Sequence, residues 1–155
     1  SQLQKTTFDL TELAQQIVDN FQPMLVENKL NCSVSGDRVF ISADRDKIHQ
    51  VLTNLLANAI KFTPSGGRID LSVSQSKGTT SFRIIDNGQG IPPEAVGQIF
   101  ERYYMAEPSR KSKLGGQGIG LSIVKGIVNA HQGTISVDSI YGKGTTFTIN
   151  LPKAK

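Results

Sequence analysis

Apolar residues recur along the chain at two spacings, and the switches between them predict its elements. From Phe8 the chain reads extended, and Asp9-Leu10-Thr11-Glu12 supplies capping residues before Leu13, Ile17, Val18, Phe21 and Leu25, which share one helical face. Two short strands, Asn31 to Ser35 and Val39 to Ala43, flank Gly36-Asp37, and that turn signal predicts a hairpin. Asp44 then caps a second helix, in which Ile48, Val51, Leu52, Leu55, Leu56 and Ala59 keep the i, i+3, i+4, i+7 rhythm almost unbroken. Thr63-Pro64-Ser65-Gly66-Gly67 stops it. Alternating Ile69, Leu71 and Val73 make Arg68 to Ser76 a strand, paired antiparallel across Lys77-Gly78-Thr79 with Phe82 to Ile85. After Pro92-Pro93 a short helix holds Val96, Ile99 and Phe100, and Glu107 to Gly116 is polar, basic and glycine-bounded, the composition of a mobile lid. Gly118 to Ala130 regains helical spacing through Leu121, Ile123, Val124 and Ile127, and strands Thr134 to Ser139 and Thr145 to Leu151 close the chain. The sum is an α+β fold, a two-layer α/β sandwich with helices over one face of a mixed, mostly antiparallel sheet.

Length and composition narrow this picture. At 155 residues and 37% hydrophobic, one domain burying roughly 68 to 70% of the extended-chain surface forms a core without disulfides or structural metal. Cys32 has no intramolecular partner, and one cysteine with two histidines argues against a closed zinc site, which fits a reducing, cytoplasmic setting. No stretch approaches the roughly 18 apolar residues of a membrane span, so direct membrane contact is not expected of this domain. The net charge of +4 suits nucleic acid, an anionic membrane or a polyanionic small ligand. Aromatic residues do not interleave with the basic ones as a nucleic-acid stacking platform requires, so a phosphate-bearing ligand is favoured.

Three places offer chemistry. At 100° per residue Asn54, Asn58 and Lys61 fall within about 60° of one another, beside the Leu52, Leu55 and Ala59 face. Amide oxygens ligate a hard cation and an ammonium meets phosphate, so the stripe suits a magnesium-bound polyphosphate, or else it is a solvated flank. Asp86-Asn87-Gly88-Gln89-Gly90 sets an acceptor carboxylate among glycines that admit a flat ligand, or is a plain strand-end turn. Gly115-Gly116-Gln117-Gly118-Ile119-Gly120 opens a helix, where unpaired amides meet anionic oxygens, or is a close helix entry; Leu121 stands where a P-loop needs Lys. His49 and His131 read as structural or surface residues, since neither stands beside a nucleophile.

Taken in order, Asn54 to Thr63, Asp86 to Gly90, Ile99-Phe100-Glu101-Arg102-Tyr103-Tyr104, Gly116 to Leu121 and Gly142-Lys143-Gly144-Thr145-Thr146-Phe147 resemble the N, G1, F, G2 and last glycine boxes of sensor histidine kinases. The resemblance implies a Bergerat-type sandwich that binds ATP with magnesium, related to the ATPase domains of gyrase, Hsp90 and MutL. By that resemblance Asn58 coordinates magnesium, with Asn54 and Gln117 supporting it. Lys61 contacts phosphate and Asp86 accepts from the adenine amino group. Phe62, Gly88 and Gly90 shape the base pocket. Gly116, Gly118 and Gly120 let amides reach the phosphates, with Ile119, Leu121 and Thr146 completing the cofactor set. Phe100 anchors the lid, and Asn54, Lys61 and Arg102 form the catalytic set.

Two positions depart from the family pattern. Met105 stands where many members have an Arg that reaches the terminal phosphate, so Arg102, Arg110 or Lys111 is left to supply that charge. Gln117 replaces a more usual Thr. Neither histidine has the family's phosphoacceptor context, so the resemblance implies a catalytic domain at residues 8–155, with residues 1–7 a linker from an upstream helical domain. The implied partners are that dimerisation and phosphoacceptor domain, a response regulator and, for a membrane-anchored parent, a second copy; nucleic acid is not among them. The alternatives are a module of the same fold without transfer activity and a related ATPase or serine kinase. Those ATPases commonly carry a water-activating Glu where this chain has Asn54, which disfavours hydrolysis.

Overall fold

Two aspartates start the two main helices in the computed structural model, which describes residues 2–102, 104 and 120–153. Asp9 Oδ1 accepts from the Thr11 and Glu12 amides at 3.0 and 3.3 Å to open α1 (Leu10–Asn20). Asp44 Oδ1 accepts from Lys47 N at 3.2 Å to open α3 (Arg45–Phe62). Each cap satisfies amides that the helix itself leaves without partners. The single first helix expected from the apolar rhythm is two: α1 ends at Asn20 and α2 (Gln22–Glu27) restarts with Pro23 in its first turn. Pro23 has no N–H to return to residue 19 and its ring crowds that carbonyl, so the chain breaks at Phe21.

The expected hairpin between the second and third strands does not form. β1 (Lys5–Asp9) pairs antiparallel with β3 (Phe40–Asp44), whereas β2 (Asn31–Ser35) pairs parallel with β4 (Arg68–Ser76). The local cause is the start of α1. Asp9 accepts from Val39 N at 3.3 Å and Arg38 Nε at 3.2 Å, and Thr11 Oγ1 donates to the Asp37 carbonyl at 2.7 Å. Those bonds draw residues 37–39 to α1 and deliver β3 to β1. β1 begins at Lys5, so residues 5–7 of the expected linker lie in the strand paired with β3.

The main sheet runs β2-β4-β5-β7-β6, with β5 Thr79–Asp86, β6 Thr134–Ile140 and β7 Gly144–Pro152, and every pair except β2–β4 is antiparallel. Ile69, Leu71, Val73, Phe82, Ile84, Phe147 and Ile149 project from one face and are buried with Leu13, Ile17, Leu52, Leu55, Leu56, Val124 and Val128 of α1, α3 and α4 (Gly120–Ala130). The alternate positions form an outer face on which Ser72, Arg83, Ile85 and Asp138 are half-buried or exposed. After β5, the expected short helix is a 3₁₀ segment, Val96–Gln98, within three-residue turns such as Ala95 N to Pro92 O and Gln98 N to Ala95 O, at 2.8 and 2.9 Å. Pro92 and Pro93 withhold donors and Gly97 weakens any longer helix. The expected lid, with Met105, Arg110, Lys111, Gly116, Gln117, Gly118 and Ile119, lies outside the described residues.

Candidate functional site

The second half of α3 presents a polar flank beside its buried stripe. Asn54 and Asn58 are half-buried and Lys61 is 9% exposed. Asn54 Nδ2 donates to the Gly120 carbonyl at 3.4 Å, which sets the start of α4 against this flank. Burial pushes the Lys61 ammonium below its ordinary pKa, and among the described residues it has no ion pair. Its Nζ stands 5.3 Å from the centroid of the Phe62 ring.

Two backbone bonds stitch this helix end to the loop after β5 and to the β6–β7 turn. The Phe62 carbonyl accepts from Gln89 N at 3.2 Å, and the Gln89 carbonyl accepts from Gly142 N at 2.6 Å. Asp86, the last residue of β5, accepts the Gly88 amide on Oδ1 at 2.9 Å. Burial raises its pKa, and bonds from the backbone N–H groups of Gly88 and Thr145 recover only part of that shift. No cation pairs with it among the described residues.

Gly88 and Gly90 belong to this loop for a reason different from room for a flat ligand. A Cβ at Gly88 would lie 2.5 Å from the Phe62 carbonyl oxygen, and one at Gly90, where φ is +74°, would lie 2.4 Å from the Ile140 carbonyl oxygen. Both glycines let protein backbone pass protein backbone.

Thr146 does not join the site. In the β5–β7 register it pairs with Ile85, and in the β6–β7 register with Asp138, so its side chain lies on the outer face of the sheet. Its neighbour Thr145 pairs with Asp86, is buried, and sets its hydroxyl 2.9 Å from Ser139 Oγ. Motif reading assigns Thr146 and neither Thr145 nor Ser139 to the cofactor set; counting back by two from the apolar Phe147 identifies the inward threonine. Leu121 packs against the core, and Gly120 borders open space. Phe100 seats its ring 6.2 Å, edge-on, from Phe147 with Lys125 Nζ 5.2 Å from its centroid, and Arg102 is exposed in the turn just beyond it.

The histidines are used elsewhere. His131 Nε2 accepts from Asp44 N at 3.0 Å and its Nδ1 meets the Ile127 carbonyl at 2.9 Å, a structural tie between α4 and the start of α3. His49 Nδ1 lies 3.5 Å from Thr53 Oγ1. Among the described residues no group of three His, Cys, Asp or Glu could cage a metal. The oxygen donors at the α3 flank are the amides of Asn54 and Asn58. That set fits a hard cation that keeps most of its shell from phosphate and water.

A sheet covered on one face by helices, with an asparagine-lysine helix flank stitched to an aspartate loop, defines a Bergerat-type nucleotide-site fold. Residues 43–155 match the family described as histidine kinase-, DNA gyrase B-, and HSP90-like ATPase, and the chain belongs to that family, as a domain of the sensor histidine kinase type. It is 44% identical over 116 residues to the sensor histidine kinase WalK of Bacillus subtilis (strain 168), covering 74% of this chain and 19% of that protein, so the chain spans about a fifth of its relative's length. The catalytic domain of the histidine kinase ThkA superposes with a TM-score of 0.84 at 27% identity over 97% of both chains, and ThkA is also solved in complex with the response regulator TrrA. Full-length ShkA in complex with AMPPNP superposes with a TM-score of 0.85 at 29% identity, covering 100% of this chain and 32% of that one.

Proposed function

We propose that the chain is the ATP-binding catalytic domain of a two-component sensor histidine kinase and donates the γ-phosphoryl of ATP to a histidine on a separate helical dimerisation domain. The observation that carries this is a pair of charges, the buried Lys61 and the half-buried Asp86, on elements stitched through Phe62 and Gln89, neither with a counter-charge among the described residues. Buried charges without partners cost a fold stability. One ligand explains both: its anionic end meets Lys61 and its amino-bearing end meets Asp86, as in an adenine nucleotide.

In this reading Asp86 accepts from the exocyclic amine, the Phe62 ring flanks the base, and Lys61 holds phosphate oxygens. Asn58, supported by Asn54 and Gln117, would hold magnesium, which when bound neutralises charge on the triphosphate. The amides of Gly116, Gly118, Ile119 and Gly120 orient the phosphates from the start of α4. Arg102, Arg110 and Lys111 are the sources of positive charge near the terminal phosphate. The acceptor imidazole attacks the γ-phosphorus in line, and these groups stabilise the charge on the transferring phosphoryl. The Asn54 amide has no basicity with which to activate water, so transfer wins over hydrolysis. The parent is a membrane-anchored homodimer that passes phosphate to a response regulator, and this domain faces the cytoplasm; among the described residues no helix is long and apolar enough to cross a membrane.

Calorimetric titration with AMPPNP, with and without magnesium, on the chain and on Asn58→Ala tests the site. Magnesium-dependent binding that weakens in the variant is expected. Metal-insensitive binding unchanged by the substitution refutes it. A matched helical-hairpin domain with labelled ATP then yields phosphohistidine. Binding without phosphohistidine favours a nucleotide module without transfer activity, consistent with Met105 in place of an arginine.

A further inference from the structure

Ser139 sits on the inward face of β6 opposite Thr145. Its Oγ has three partners: Ile91 N at 2.8 Å, the Gly144 carbonyl at 3.0 Å and Thr145 Oγ1 at 2.9 Å. A hydroxyl has one proton to give. The Gly144 carbonyl can only accept, so Ser139 donates there; the Ile91 amide can only donate, so Ser139 accepts from it. The third contact then has one direction left. With the Ser139 proton on the Gly144 carbonyl, Thr145 gives its own proton to Ser139, and Thr145 Oγ1 turns only lone pairs to its other neighbours. Asp86, the cross-strand partner of Thr145, is likewise acceptor-only as a carboxylate.

We propose that Ser139 is a positioning residue for base selectivity: by claiming the Thr145 proton it makes the edge formed by Asp86 and Thr145 accept only. This rests on the nucleotide reading above. Such an edge welcomes a 6-amino purine, whose exocyclic nitrogen donates. It rejects a 6-oxo purine, whose O6 would face lone pairs. Without the Ser139 hydroxyl, the Thr145 O–H is released to rotate and donate to O6, while Asp86 accepts from the purine N1–H. A site that has lost a fixed donor direction discriminates less sharply between the two bases.

The test compares the affinities of ADP and inosine diphosphate for the whole chain. Each variant serves as its own reference, so general loosening acts on both ligands. Ser139→Ala is expected to lower the ADP preference about tenfold, the worth of about one hydrogen bond. Ser139→Thr, which keeps the hydroxyl, retains the wild-type preference. In a Thr145→Val background the Ser139→Ala change has no further effect, because no hydroxyl remains to be redirected. Ser139→Cys, a weaker donor and acceptor of similar size, replaces Ser139→Ala if that variant does not fold, and it too lowers the preference. An unchanged preference in Ser139→Ala or Ser139→Cys, or an equal change with and without the Thr145 hydroxyl, overturns the proposal. ADP binding that is absent from the wild type, or indifferent to Asp86→Asn, refutes the nucleotide reading itself and so is told apart from failure of the Ser139 role.

Discussion

Asp86→Asn separates what the carboxylate does for the fold from what it does for the ligand. The substitution keeps size and removes charge. In the native chain Oδ1 accepts the Gly88 amide at 2.9 Å, the Thr145 backbone N–H also donates to the carboxylate, and no cation pairs with it among the described residues. Burial dominates, and the pKa lies above its ordinary value of 3.8. The unfolded chain therefore loses this proton at lower pH than the folded chain. Between the two pKa values the folded state holds more protons, so stability falls as pH rises through that window and the loss persists above it. Asparagine has no such slope. Urea denaturation of both proteins across this range should show the stability difference moving against the wild type as pH rises. Nucleotide affinity moves the other way. An asparagine that keeps the Gly88 bond through its oxygen turns its NH₂ toward the ligand amine, donor against donor, at a cost of about 1–3 kcal/mol, or about tenfold or more in Kd. A difference in stability that is flat with pH, or that grows in favour of the wild type, refutes the account of a carboxylate whose desolvation is only partly offset. Unchanged affinity refutes its role at the base.

Gly88→Ala places a methyl 2.5 Å from the Phe62 carbonyl oxygen and 2.9 Å from Asp86 Oδ1, both held by hydrogen bonds. Denaturation should show a loss of about 1–3 kcal/mol with nucleotide affinity falling alongside, and wild-type affinity would show that the loop has slack. Thr146→Ala should leave nucleotide affinity within about twofold of wild type, whereas Thr145→Val lowers it by about fivefold or more; the reverse order in titration contradicts the sheet register. In acid, Asp9 and Asp44 act with the opposite sign from Asp86. Burial of Asp9 is outweighed by bonds from Glu12, Val39, Arg38 and Thr11, and Asp44 is lowered first by its bond from Gln4. Both contribute stability that is present above 3.8 and lost as pH falls through their lowered values, so Asp9→Asn and Asp44→Asn should flatten the acid limb of a stability–pH curve.

Where the sequence reading succeeds, a local pattern and the tertiary structure ask for the same thing. The α3 stripe from Ile48 to Ala59 is both a helical period and the buried face, and Asp9 and Asp44 are both cap residues and observed caps. Where it fails, the deciding partner is distant in sequence or one local cue overrides another. Gly36-Asp37 is a sound turn signal, but nothing local says that Asp9 will hold Val39 and Arg38 and so send β3 to β1. Pro23 is a cue within the segment itself, and it outweighs the apolar rhythm that runs through it. Thr145 and Thr146 are chemically identical neighbours, and only the period of two counted from Phe147 tells them apart.

The glycines of the boxes carry the most instructive difference. Read as a motif, Gly88 and Gly90 invite assignment to the ligand. In the fold they stand aside for the carbonyls of Phe62 and Ile140, which belong to the end of α3 and the end of β6. Their spacing therefore records how closely three chain segments must converge. What those segments bring together is a buried lysine, a half-buried carboxylate and a hydrogen-bonded serine-threonine pair. In the proposed reading, recognition chemistry rests on Lys61, Asp86, Thr145 and Ser139. The glycines are the geometric condition for these segments to converge, so a substitution at Gly88 should act on every ligand alike, whereas one at Ser139 should act on the choice between bases.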